Sequence, residues 1–77
     1  MPKNLLEIVE GYREKGYSIS DQEARTVYRL CEIKTELANV PDKEEYMLLL
    51  FEDEIRNYLF RRVVNATTML RTMVKEA

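Results

Sequence analysis

The side chains that most often carry chemistry are scarce in this 77-residue chain, which has no His, no Trp and a single Cys. Without His, neither a Ser-His-Asp triad nor a Cys-His pair can be assembled. One Cys cannot close a disulfide within the chain, and zinc sites of the Cys/His type lack ligands. That thiol, Cys31, stands beside Val27 and Tyr28 with mixed charges nearby, the setting of a buried small hydrophobe rather than of a reactive thiolate. Carboxylates are plentiful, and Glu7 with Glu10, or Glu32 with Glu36, fall on shared helix faces. A di-iron bundle needs Glu-x-x-His, however, and no matched pair of carboxylate motifs on two helices could hold magnesium. These acids read as solvated faces. Two glycines are too few for a phosphate-cradling or dinucleotide-binding loop, and no calcium-loop spacing is present. No catalytic residue, metal, cofactor or small-molecule substrate is expected, and the chain reads as non-enzymatic.

The basic residues offer a different chemistry. Residues 1–55 hold seven Lys or Arg against thirteen Asp or Glu, whereas residues 56–77 hold five against one. Arg61, Asn65, Thr68, Thr72 and Lys75 fall along one polar stripe at helical spacing, with Arg62 and Arg71 beside it. Such a stripe can track phosphates, so accessory nucleic-acid binding through Arg61, Arg62, Asn65, Arg71 and Lys75 is one reading. The acidic remainder of the chain would repel a polyanion. The same gradient also matches the dipole of a long helix, and it could pair opposite halves of two chains in a dimer. A helix-turn-helix over residues 8–33 would begin its recognition helix with Ser20-Asp21-Gln22-Glu23, too acidic for a major groove.

Three helices follow from the punctuation. Leu5, Ile8, Val9 and Tyr12 are helically spaced, with Asn4 and Glu7 as a loose capping box and Gly16 as the stop. Ser20-Asp21-Gln22-Glu23 is a full capping box, opening a helix from Asp21 to Asn39 before Pro41, with an apolar seam of Val27, Leu30, Ile33, Leu37 and Val40. Asp42 caps a third helix that meets no further Gly or Pro. Its seam of Ile55, Leu59, Val63, Ala66, Leu70, Met73 and Ala77 keeps phase to the end, predicting one continuous helix of about 33 residues. A cluster of mediocre helix formers from Val63 to Thr68 marks the place where it would otherwise break, near Asn65, into a four-helix arrangement.

The expectation is therefore a single all-α domain over residues 1–77, two shorter helices packed on a long C-terminal one. Two short helices cannot cover such a rod, and the run Tyr46 to Phe51 is apolar all the way round its turn. Both features point to a protein-interaction or assembly module. It would self-associate as a homodimer, or bind a helical protein partner, through the third helix at Tyr46, Met47, Leu50, Phe51 and Tyr58. The longest apolar run is far short of the ~20 residues of a membrane span, and neither a leader core nor paired cysteines are present, so the expected location is the cytoplasm.

Overall fold

A computed structural model describes residues 1–76, and beyond Ala66 it describes the helical backbone alone. The chain folds as three helices, α1 (Lys3–Glu14), α2 (Asp21–Ala38) and α3 (Lys43–Glu76). Local chemistry explains each boundary. Pro2, with φ already fixed at −57°, takes the N-cap position of α1, and its carbonyl accepts the Leu5 and Leu6 N–H groups. Asn4, expected as the cap, instead lies inside the first turn, where its Oδ1 accepts the Leu5 N–H at 3.0 Å. At the other end Gly16 adopts φ +99°, and the Tyr17 and Gly16 N–H groups return to the Tyr12 and Arg13 carbonyls, a Schellman closure.

The Arg13 side chain then locks the following loop by donating from Nε and Nη2 to the Ile19 carbonyl at 2.9 and 2.6 Å. The capping box of α2 is complete: Ser20 Oγ accepts the Glu23 N–H at 3.0 Å, and Glu23 Oε1 accepts the Ser20 N–H at 3.1 Å. Asn39 ends α2 in the left-handed region at φ 50°. Asp42 Oδ1 accepts the Glu45 N–H at 3.1 Å and starts α3.

The third helix does not break between Val63 and Thr68. Its 34 residues span about 51 Å at 1.5 Å per residue, which accounts for the 54 Å long axis of the molecule. The Cα radius of gyration is 15.2 Å, well above the roughly 11 Å of a compact chain of this length. Both α1 and α2 pack on α3. Thr35 meets Met47, Lys34 meets Glu54, and Glu23 meets Tyr58, so α2 runs antiparallel to α3.

The core joins Leu5 and Val9 of α1, Ile19 of the loop, Ala24, Val27 and Cys31 of α2, and Phe51, Ile55 and Leu59 of α3. The fully buried positions of α2 thus carry small residues, completed by Thr35 and flanked by half-buried Tyr28, while those of α3 are large. Small against large lets the two axes approach closely and keeps the interior filled. This choice overturns the seam expected for α2. Val27 is buried as expected, but Leu30, Ile33 and Leu37 turn outward on the far side of the helix.

The two glycines make the local argument testable. Gly11 lies within α1 with open space where a Cβ would project, so Gly11→Ala should raise stability by about 0.5–1 kcal/mol. Gly16→Ala must force an L-residue into the left-handed region and should cost about 1–2 kcal/mol. Urea unfolding followed by helical circular dichroism measures both, and similar effects of the same sign would contradict the assignment of Gly16 as the C′ residue.

Candidate functional site

One carboxylate organises the polar contacts between the long helices. Glu23 Oε1 serves the cap of α2, while Oε2 accepts from Tyr58 Oη and, at 3.0 Å, from Arg62 Nη1. The Arg62 guanidinium also lies over the Tyr58 ring, 6.0 Å from its centroid. The hydrogen bond from Tyr58, those from Ser20, and the nearby Arg62 charge hold the Glu23 carboxyl at about 2, far below its ordinary value. Tyr58 moves the opposite way: the carboxylate it donates to raises its pKa.

These contacts decide the fate of the residues that sequence reasoning assigned to an interface. Phe51 is fully buried in the core, 0% exposed, and so is out of reach of any partner of the folded chain. Met47, Leu50 and Tyr58 are half-buried against the same core, and Met47 Sδ lies 3.4 Å from Thr35 Oγ1. Tyr46 is half-buried. The apolar turn is therefore covered mostly from within the chain, and only Leu49, 62% exposed, stands clear of it. Both α1 and α2 pack on α3, and Leu5, Val9, Val27 and Cys31 share one core with Phe51.

Among the basic residues, Arg61 and Asn65 are exposed, whereas Arg62 is half-buried in its bonds to Glu23. Arg71 and Lys75, with Thr68 and Thr72, lie outside the residues whose side chains are described. The structure brings Arg61 near Lys34 of α2, whose ammonium is bound to Glu54 at 2.9 Å.

Sequence reasoning missed the surfaces that the fold leaves apolar. On α2, Leu30, Ile33 and Leu37 form a stripe at i, i+3, i+7, with Leu37 81% exposed. On α3, Phe60 is 68% exposed and borders a cleft of about 270 Å³ with Tyr12, Tyr17, Arg56, Leu59 and Val63. Tyr12 and Tyr17 meet edge-to-face there, their centroids 5.8 Å apart. A second cleft of about 360 Å³ lies between the start of α1 and the hairpin of α2 and α3, floored by Leu5, Thr35 and Met47 and rimmed by Glu32, Glu36, Glu44 and Lys43. The signal for the α2 stripe was present as periodicity. What periodicity could not say is which of two apolar faces would be turned inward.

Nucleophilic and metal chemistry find little to work with in the described residues. Cys31 is fully buried, and burial pushes its thiol up to about 11, with Glu54 adding to the effect. No group of three His, Cys, Asp or Glu side chains is placed to hold a metal among the described residues. No described helix is long and apolar enough to cross a membrane. No family model, curated protein or solved structure matches this chain.

The Glu23 linkage has a definite pH signature. A carboxyl held below its unfolded value of 4.5 stabilises the fold fully above that value, and the contribution disappears as pH falls through 4.5 towards 2. Glu23→Gln should lose about 1–2 kcal/mol at neutral pH, because two α3 donors then meet an uncharged acceptor. The variant should also show a shallower loss of stability between about pH 5 and pH 2 than the wild type. Urea midpoints across that range measure both effects, and parallel pH profiles would remove Glu23 from its linking role.

Proposed function

We propose that the protein is a non-enzymatic assembly module that works by self-association through apolar helix faces. One observation carries this reading: after the core is filled, both long helices still present large apolar side chains outward, Leu30, Ile33 and Leu37 on α2 and Leu49 and Phe60 on α3. Isolated exposed apolar residues are ordinary on a monomer, but aligned ones at helical spacing make a surface that a second helix can cover. The length of α3 supports the same reading. The rod is about 51 Å long, and α2, with 18 residues, accompanies about 27 Å of it.

The third helix remains part of this proposal, with its contact residues changed. Met47, Leu50 and Tyr58 are engaged against their own core and Tyr46 is half-buried, while Leu49 and Phe60 are the most exposed large apolar side chains among the described residues of the helix. Accessory nucleic-acid binding draws support from exposed Arg61 and Asn65 and loses it at Arg62, which is already committed to Glu23.

Sedimentation of the full chain tests the reading. The wild type should exceed its 9.2 kDa monomer mass at high micromolar concentration, and the double variant Leu37→Glu/Phe60→Glu should sediment as a monomer with unchanged helicity. Both substituted residues are mostly exposed, so the fold should tolerate the change. A wild-type monomer across the whole range would overturn self-association. Salt-sensitive binding to DNA or RNA that is lost on Arg61→Ala would move the assignment to the nucleic-acid reading.

A further inference from the structure

We infer that the partner seated on the α2 stripe is a second copy of this chain, packed antiparallel about a two-fold axis that passes beside Ile33. The inference rests on the self-association proposed above and adds which face makes the contact and in what register. The stripe is short, and its composition is self-complementary when reversed. With Ile33 on the axis, Leu30 of one copy faces Leu37 of the other, and each Ile33 faces its own counterpart. The three side chains are 42%, 58% and 81% exposed, so an apolar row is available to be covered on both copies. A two-fold interface of this kind requires the same patch to fit itself.

Charge supports the same register. Arg29 and Glu36 flank the stripe on one edge, seven residues apart on α2. That spacing places them about 10.5 Å apart along the axis, too far to pair within one chain. Reversing a second copy over Ile33 brings Arg29 of each chain opposite Glu36 of the other, making two cross-pairs on one edge. Arg29 has no ion pair among the described residues, and Glu36 carries only the exposed Lys43 contact at 3.2 Å. On the other edge Lys34 approaches the axis and would face its own copy. Its charge is already balanced by Glu54 at 2.9 Å, so like charges do not oppose the register.

A parallel arrangement fares worse. It would turn this edge against the opposite edge of the partner helix, setting Arg29 near Lys34 and removing both cross-pairs with Glu36. The α3 surface is less self-consistent as a two-fold contact among the described residues, since Asp53 and Arg56 lie between Leu49 and Phe60 and are already paired with each other at 2.6 Å. The face of one 18-residue helix is smaller than a standard interface of about 1,600 Å² in total, so the dimer belongs to the micromolar range.

Sedimentation equilibrium on single variants of the full chain separates the outcomes. Leu37→Glu should abolish the dimer while Phe60→Glu leaves it intact. Arg29→Glu and Glu36→Lys should each weaken it by about three- to tenfold, and the double exchange should restore most of the loss, since each copy contributes to two pairs. Thermal melts of the same variants show whether the in-chain contact of Glu36 with Lys43 contributes. Register is read by oxidation: the thiol introduced by Ile33→Cys should cross-link two chains, and that from Leu37→Cys should not. Buried Cys31 does not compete. Cross-linking by both thiols would overturn the antiparallel register. A dimer lost only on Phe60→Glu would overturn the α2 contact while leaving self-association standing. A wild-type monomer at hundreds of micromolar would overturn both, and would assign the stripe to a different protein.

Discussion

The position of α2 on α3 depends on Glu23. Its side chain belongs to the capping box that starts α2, yet its second oxygen holds Tyr58 and Arg62 from the middle of α3. A helix start and an inter-helix joint therefore share one carboxylate. Charge-assisted hydrogen bonds of this kind are directional, so they fix rotation as well as distance. Apolar packing alone tolerates a helix turned by one residue more readily than a half-buried carboxylate tolerates losing two donors. Fixing α2 at its N-terminus holds the rotation at which its small residues meet α3. Everything outside the core follows from that rotation.

The rotation selects a small inner face. Ala24, Val27, Cys31 and Thr35 meet Phe51, Ile55 and Leu59, and Thr35 satisfies its own hydroxyl by donating to the Cys31 carbonyl at 2.6 Å. Turning Leu30, Ile33 and Leu37 inward would place large side chains against large ones and force the helices apart. The interior would then hold voids or strained rotamers, each costing more than the transfer of the side chains returns. The outward position of three aliphatic residues is thus a consequence of close packing elsewhere.

This also explains what was readable in the sequence. The capping box at Ser20, the cap at Asp42, the stop at Gly16 and the continuity of the third helix are local events, set by hydrogen bonds and backbone conformations within a few residues. All of them can be read from composition and spacing. Leu70, Met73 and Ala77 of the seam expected for α3 lie outside the residues whose side chains are described. Asn4 was misread because Pro2 satisfies the first N–H groups with its carbonyl, and a side-chain cap is then unnecessary. The α2 seam was misread for a different reason. Period 3.6 shows two apolar rows on that helix, and hydrophobicity favours the larger one, but volume matching with α3 decides between them. Volume matching is a property of pairs of helices far apart in sequence. Tyr58 belongs to the same class, since its partner lies 35 residues away.

A fold built this way divides its apolar residues into two sets with separate tasks. Nine buried apolar residues among those described stabilise the single chain. The outward row of α2 contributes little to that core and stays exposed in the single chain. Association and folding are then linked by mass action: covering the row stabilises the folded state in proportion to the concentration of the covering partner. The two tasks are separable because the residues are. A change at Ile55 or Phe51 acts on the chain whether or not it associates, while a change at Leu37 acts on what the chain meets. That separation follows from the packing of α2, which the Glu23 joint holds with one face inward and the other outward.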